Sequence, residues 1–188
     1  MDQERIAKAV RQILEAVGEN PDRAGLRRTP ERVARMYAEV LSGMAVEPAQ
    51  FLKTTLLEQH RELVILKDIP FSSLCEHHLL PFIGKCHVAY LPKGRIIGIS
   101  KLARVVEAFS RRLQVQERLT SQIADLLMKE LHPLGVAVMM EATHTCLTIR
   151  GALKPGSLMV TSAIRGYFRR SHAARDEVWA HLRRSRNY

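Results

Sequence analysis

The chain has 188 residues, of which 46% are hydrophobic and 26% charged, and a formal net charge of +10. That length suits one domain with a substantial buried core, and no apolar run is long enough to cross a bilayer. The first residues open an amphipathic pattern and lack the apolar stretch of a secretory signal. Three cysteines are an odd number and do not suggest a disulfide framework. We therefore expect a globular protein of a reducing compartment, with the cytoplasm as the default location.

The positive charge is concentrated at the C-terminal end. Residues 165–188 hold seven arginines against two acidic residues, Asp176 and Glu177, a net charge of +5 and half of the excess. Such a segment is usually a solvated face or a docking surface, and it can bind nucleic acid without sequence specificity.

Two helices are predicted at the N-terminus. Apolar residues recur at helical spacing from residue 6 to residue 17, and Gly18 ends that run. After a loop at 19–28, a second helix begins with Thr29 as its predicted N-cap and Pro30 in its first turn. Gly43 is expected to end it.

Strands and helices are mixed in the remaining chain. Strands are predicted at 63–69 and 83–91, followed by a helix capped by Ser100 and a long helix ended by His132 and Pro133. A pair of strands at 136–142 and 144–150, a short strand near 158–164 and a helix at 174–183 complete the prediction. This order favours an α+β fold with a mostly antiparallel sheet.

Two short segments predict a metal site. Cys75 and His78 form a C-x2-H pair among turn-prone residues, so we expect them on a loop and within reach of one ion. Cys146 is expected on a strand, where alternation gives His144 the same face. Two thiolates and one imidazole suit zinc, and three protein ligands leave a position open for water, as in catalytic sites.

The same residues allow a simpler interpretation. His77 and His78 also fit an exposed polar loop, and Cys146 on an apolar strand also fits an ordinary buried thiol. Spacing alone favours the metal only slightly. The third cysteine, Cys86, is predicted to be a core thiol and not a ligand.

Cations near this site predict an anionic ligand. Ser100, Lys101 and Arg104 occupy the first turn of a predicted helix, where free backbone N–H groups and the helix dipole favour a phosphate. A solvated helix start is the alternative. Arg150 lies four residues after Cys146, so alternation along a strand returns it to the metal-facing side.

Gln116 and Glu117 begin the long helix. An acidic residue at that place suits the helix dipole, which alone can explain it. Glu117 also suits guanine, whose N1–H and 2-amino group are adjacent donors for one carboxylate. The residues by themselves leave both interpretations open.

With these residues assembled, the chain resembles the GTP cyclohydrolase I family over nearly its whole length. The matching stretches are 29–34, 71–84, 98–104, 111–120 and 141–146. The resemblance implies a tunnelling fold, which is an antiparallel sheet with helices packed on one face and an N-terminal helical segment. It also implies a toroidal homodecamer with active sites between subunits. Residues 1–60 would form the helical segment and 61–188 the catalytic domain, together one functional unit.

The implied reaction is the zinc-dependent hydrolysis of GTP at C8 of the purine. Ring rearrangement then gives 7,8-dihydroneopterin triphosphate and formate, the first step of folate and tetrahydropterin synthesis. By resemblance, Cys75, His78 and Cys146 are the Zn²⁺ ligands, and His77 and His144 transfer protons. The implied substrate contacts are Glu117 with Gln116 at the guanine, Ser100, Lys101, Arg104 and Arg150 at the triphosphate or ribose, and Arg32 and Arg35 from a neighbouring subunit.

The chain departs from the family pattern at 157–165, where a run rich in Thr and Ser is expected and Leu158, Met159 and Val160 stand instead. This departure concerns strand packing and subunit contacts. Two other functions remain open: a basic nucleic-acid-binding protein with a structural zinc, and a tunnelling-fold enzyme acting on another purine or pterin.

Overall fold

The computed structural model describes residues 1–53 and 60–183. The chain divides into two compact units, Met1–Ser42 and Gly43–Tyr188. The predicted division at residue 60 separates a helical segment from a catalytic domain. Because it concerns activity as well as compactness, it stays a prediction.

The N-terminal unit consists of two helices that contact each other, α1 (Gln3–Ala16) and α2 (Thr29–Val40). The Asp2 carboxylate caps α1 by accepting a hydrogen bond of 2.9 Å from the backbone N–H of Arg5. Thr29 is not the N-cap of α2, contrary to the prediction, because Arg28 holds that position without a side-chain cap. The preceding turn already uses the N–H of Thr29, which donates to the carbonyl of Leu26 at 2.8 Å.

The second unit is built on a five-stranded sheet, counted over the described residues, with strand order β3-β1-β2-β4-β5. Neighbouring strands are antiparallel except β3, which pairs with β1 in parallel. The strands are β1 (Val64–Cys75), β2 (Pro81–Leu91), β3 (Leu113–Gln114), β4 (Gly135–His144) and β5 (Met159–Gly166). This sheet confirms the predicted α+β class and its antiparallel character.

The core lies between one face of the sheet and the helices α3 (Ile99–Ser110) and α4 (Gln116–Leu131). Side chains alternate along a strand, so Val88 and Tyr90 of β2 face this core while Ala89 faces the other way. Cys86 is buried on the core side, as predicted, and burial raises the pKa of its thiol. The opposite face is covered at one end by α6 (Tyr167–Arg170) and α7 (His172–Arg183).

One predicted strand is wrong. Residues 144–150 do not form a second strand, because β4 ends at His144 and Thr145–Thr148 forms a helical turn, α5. The reason lies in the neighbouring strand: His144 pairs with Phe82, and β2 begins one residue earlier at Pro81. The Thr145 hydroxyl donates to the carbonyl of Pro81 at 2.6 Å and ends the ladder.

The start of α3 also differs from the prediction. Gly98 is its N-cap and Ile99 its first residue, so Ser100 lies inside the first turn and makes no cap hydrogen bond. The backbone N–H of Lys101 donates to the carbonyl of Gly98 at 2.8 Å, which begins the helix earlier than expected. The long helix α4 ends as predicted at His132, which adopts a left-handed conformation with φ of 47°.

Candidate active site

The first half of the site is the turn that follows β1. Cys75 is the last strand residue, and its N–H and carbonyl both bond back across the turn, to Leu80 and Leu79 at 2.9 Å. Leu79 closes the turn in a left-handed conformation with φ of 55°. Cys75 is buried, whereas His77 and His78 are exposed. The predicted loop is therefore present, with its cysteine anchored in the sheet.

The second half is α5, which follows β4. Because this segment is a helical turn, Cys146 reaches the site from a helix and not from a strand face shared with His144. The structure nevertheless brings Cys75, His78 and Cys146 together, with one donor atom of each within 4.8 Å of the others. Among the described residues these three form the only such group. The predicted group of three ligands therefore forms although residues 144–150 are not a strand.

The chemistry of these donors suits a metal ion. Two thiols and an imidazole are the soft and borderline ligands that zinc accepts, and three protein donors leave a coordination position free. The pKa of the Cys146 thiol is raised by burial and by the neighbouring Cys75. Cysteine binds a metal ion as the thiolate, so metal binding at this group would release protons.

Arg150 lies against this group. Its Nη1 is 2.5 Å from Nε2 of His78, and a guanidinium can only donate, so Nε2 is the acceptor. The Nδ1 of His78 lies 3.9 Å from the Cys75 sulfur. The strand alternation that predicted Arg150 here is wrong, but the residue does reach the site because the chain turns through α5.

His144 is held from two directions. Its ring stacks on Phe82 with centroids 4.6 Å apart and an interplanar angle of 3°. Its Nε2 lies 2.8 Å from Oε1 of Gln116. The pKa of His144 is lowered, mainly by burial, and Glu117 acts in the opposite direction. Glu117 is therefore near His144. The two residues must be close if one is to bind a guanine and the other is to transfer a proton to it.

The start of α4 turns its two polar residues to opposite sides. Glu117 is exposed, whereas Gln116 is 1% exposed and points into the core. The sequence contains a signal for this difference: Gln116 precedes Leu119, Thr120 and Ile123 by three, four and seven residues, which places all four on one helical face.

The predicted anion-binding residues are less closely tied to the metal-binding group. Ser100 and Arg104 are exposed on the first turn of α3, and Lys101 is half-buried there. Arg32 and Arg35 are exposed on α2 of the N-terminal unit. The roles of these five residues stay predictions.

Sequence reasoning missed three residues around the site. Arg118 forms an ion pair with Glu76, the residue between Cys75 and His77. Phe82 supplies the stacking surface for His144, and Thr161 bonds to the Gln116 amide at 3.1 Å. Each of these contacts joins segments far apart in the chain, so periodicity carries no signal for them.

These features define a class: an α+β protein with a Cys-His-Cys metal-binding group, a partly buried histidine two residues before the second cysteine, and an exposed carboxylate near that histidine. Among residues 1–53 and 60–183, no helix combines the length and hydropathy that a bilayer span needs. The family model described as GTP cyclohydrolase I matches residues 6–183.

Individual relatives agree. A protein of Pelotomaculum thermopropionicum named GTP cyclohydrolase 1 is 60% identical over 180 residues, which cover 95% of this chain and 96% of the relative. One of the same name from Caldanaerobacter subterraneus subsp. tengcongensis is 59% identical over 181 residues, 96% of each. A solved structure of apo archaeosine synthase QueF-like aligns over 55% of this chain and 93% of that one, with 20% identity and a TM-score of 0.47. The chain belongs to the GTP cyclohydrolase I family.

Proposed function

We propose that this chain hydrolyses GTP at C8 of the purine and releases formate and 7,8-dihydroneopterin triphosphate, the first step of folate and tetrahydropterin synthesis. Family membership over residues 6–183 supports the reaction. The observation that carries it is the convergence of Cys75, His78 and Cys146 next to His144 and Glu117. A metal, a proton donor and a base-recognising carboxylate are the three elements that the reaction needs.

The metal is proposed to be Zn²⁺, held by Cys75, His78 and Cys146. The donor set supports this choice, because Mg²⁺ and Ca²⁺ prefer oxygen ligands and would not select two sulfurs. Bound zinc would supply a nucleophile at neutral pH by lowering the pKa of water from ~15.7 to about 7. The chain's own contribution is to keep Cys75 buried and the remaining side of the group open.

The two histidines are proposed to move protons. Attack at C8 places negative charge on N7, and an imidazolium is the side chain best suited to neutralise it near pH 7. We assign this step to His144, whose ring is held in place by Phe82 and Gln116. Burial lowers the pKa of His144, so its imidazolium is the less populated form near pH 7 and gives up its proton more readily. His77 is exposed, with Nδ1 3.7 Å from the Cys75 sulfur, and is assigned to the later ring opening.

The substrate is proposed to be positioned by charge at both ends. Glu117 accepts the N1–H and 2-amino hydrogens of guanine, and Arg150 lies close enough to the metal ligands to bind the ribose or phosphate side. Ser100, Lys101 and Arg104 would hold the triphosphate. Binding these remote groups fixes C8 at the nucleophile, which is catalysis by positioning.

The assembly is proposed to be a homodecamer with active sites between subunits, to which Arg32 and Arg35 contribute. The open face of the sheet supports association with further copies. Ile83 and Val160 lie on the face opposite α3 and α4 and are 57% and 56% exposed. A neighbouring copy packed on this face would bury both side chains. The cytoplasm is the proposed location, in agreement with three cysteines that form no disulfide.

The reaction is tested by incubating the purified protein with GTP and measuring formate together with the fluorescent pterin formed after oxidation. Metal analysis of the same sample should give about one zinc per chain, as three-ligand sites hold. Light scattering measures the assembly. Nucleic-acid binding without turnover would contradict the proposal. Turnover of another purine or pterin in place of GTP, measured in a substrate panel, would favour a related enzyme with a different substrate.

A further inference from the structure

We propose that Gln116 is a positioning residue that holds neutral His144 as the Nε2–H tautomer, so that Nδ1 is the atom that exchanges a proton with the purine. This inference rests on the proposed function and deepens it. It also gives Gln116 a different role from the guanine contact that the family resemblance implies.

The Gln116 amide is saturated inside the protein. Its Nε2 lies 3.1 Å from the carbonyl of Met140, from the carbonyl of Met159 and from the hydroxyl of Thr161. These three acceptors share the two amide hydrogens, and Oε1 is 2.8 Å from Nε2 of His144. The side chain is 1% exposed, so no surface remains on it for a substrate.

The orientation of the amide follows from its partners. A flipped amide would turn its oxygen toward two carbonyl oxygens, which have no hydrogen to donate to it. Buried groups left in that state cost about 1–3 kcal/mol each. Oε1 therefore faces His144, and since an amide oxygen can only accept, the hydrogen of this bond belongs to His144 Nε2.

A chain of hydroxyl groups supports the same direction. The Thr120 hydroxyl donates to the backbone carbonyl of Gln116 at 2.6 Å, so its oxygen is available as an acceptor. Thr161 lies 2.7 Å from that oxygen and donates to it, which leaves the Thr161 oxygen to accept from the Gln116 amide. Each group from His144 to Thr120 then donates to the next one. Reversing the Thr161–Thr120 bond would take the Thr120 hydrogen away from the Gln116 carbonyl.

The ring of His144 has little freedom to escape this bond. It is parallel to Phe82, which is 1% exposed and packs edge-on against Phe71 at 5.9 Å between centroids. Stacking sets the plane of the imidazole and the Gln116 bond sets its rotation within that plane. With Nε2 committed to Gln116, Nδ1 is the ring nitrogen left for chemistry.

The proton balance is simple. When water adds to C8, the electron pair of the C8–N7 double bond moves to N7. The Nδ1–H bond of the His144 imidazolium breaks, and an N7–H bond forms. His144 is left neutral with its hydrogen on Nε2, the tautomer that Gln116 accepts. The attacking water loses one O–H proton to solvent, and His144 takes up one proton at Nδ1 from solvent before the next turnover, so the protons balance.

The tautomer can be measured without turnover. In zinc-loaded, GTP-free protein labelled with ¹⁵N at histidine, neutral His144 should show a protonated Nε2 and an unprotonated Nδ1, with a His144→Asn sample to assign the signal. A neutral His144 that carries its hydrogen on Nδ1 would overturn the inference. Because no substrate is present, this result stands even if GTP proves not to be the substrate.

Kinetics of a matched pair of variants separates positioning from substrate contact. Gln116→Met keeps the volume but removes the acceptor, and we expect kcat to fall about 100-fold with KM for GTP within about threefold. Gln116→Glu, held as a neutral acid by burial, keeps an acceptor oxygen for His144 and an O–H donor for the Met140 carbonyl, and its kcat should be at least tenfold above that of Gln116→Met. A rise in KM with kcat unchanged, or equal loss in both variants at full zinc content, would overturn the inference. If Gln116→Met does not fold, the wild-type and Gln116→Glu spectra decide the question.

Discussion

The two chain segments that form the site are held in different ways. The turn 75–78 is largely exposed, and Glu76 is anchored by an ion pair with Arg118 and by donating its N–H to the carbonyl of Gln114 at 3.1 Å. The segment at His144 is fixed by ring stacking and by a buried hydrogen-bond chain. Exposed ion pairs contribute little, whereas buried hydrogen bonds are costly to break. We infer that the proton-transfer side is rigid before metal binds and that the metal-binding side becomes rigid with the metal.

The largest effect should come from breaking the metal-binding side. We expect Cys146→Ser to lose zinc and to lower GTP turnover by about 10³-fold or more, because the nucleophile depends on the metal. Zinc content by metal analysis and formate release are measured on one sample. Cys86→Ser, which changes a thiol outside the metal-binding group, is the matched control and should keep its zinc. Full zinc and normal turnover in Cys146→Ser would remove Cys146 from the ligand set.

A change at His144 should lower turnover without lowering zinc content. We expect His144→Ala to keep its zinc and to lower kcat by about 10²–10⁴-fold, the range for a positioned general acid. His77→Ala is the paired variant, expected to accumulate the C8-hydrated nucleotide that precedes ring opening, which chromatography would detect. Zinc loss in His144→Ala would make His144 a ligand and would contradict the division between the two sides.

Substrate recognition should be affected next. Glu117→Ala removes a carboxylate that is exposed at the start of α4, so folding should be unchanged. Losing hydrogen bonds to a charged group costs about 1.5–3 kcal/mol, which corresponds to an increase in KM for GTP of about 10–150-fold. Steady-state kinetics with GTP and with ITP, which lacks the 2-amino group, checks this. Unchanged discrimination between the two nucleotides would count against the role of Glu117.

A smaller effect is expected from the exposed anchor of the turn. Glu76→Gln keeps the shape of the side chain but removes the charge that faces Arg118. We expect a loss of about 0.2–1 kcal/mol in unfolding free energy, and zinc affinity lowered by only a few-fold. Chelator competition measures the affinity. If Glu76→Gln lost as much zinc affinity as Cys146→Ser, the turn would be held rigidly by the ion pair without metal.

The smallest effect concerns His87, on β2 outside both segments. Its buried ring accepts a hydrogen bond of 3.1 Å at Nδ1 from the N–H of Asp68, and burial lowers its pKa against the opposing effects of Asp68 and Glu141. The folded state therefore binds the proton less well than the unfolded state. Stability should be full above about pH 6.5 and decline as the pH falls through and below that value.

Denaturant unfolding at several pH values between 5 and 7.5 measures how steeply the unfolding free energy changes with pH. His87→Gln should reduce that slope, while its side-chain oxygen still accepts the hydrogen bond from the N–H of Asp68. An identical slope in the variant would assign the acid sensitivity to other groups.

Much of the local structure is determined by the sequence. Helical periodicity and end signals located α1 and α4, and the left-handed His132 ends α4 where Pro133 predicts it. The C-x2-H spacing and turn-prone neighbours located the turn at 75–78. These features depend on residues within one or two turns of each other, so a single stretch of chain contains the forces that decide them.

The tertiary structure decided how those pieces meet. The end of β4 at His144 depends on where β2 begins, and the position of Arg150 depends in turn on α5. Gln116 of α4 faces His144 because two other elements, β4 and β5, supply the partners of its side chain. Each of these outcomes requires strand register and burial, which arise only when distant segments pack and which no local pattern of residues encodes.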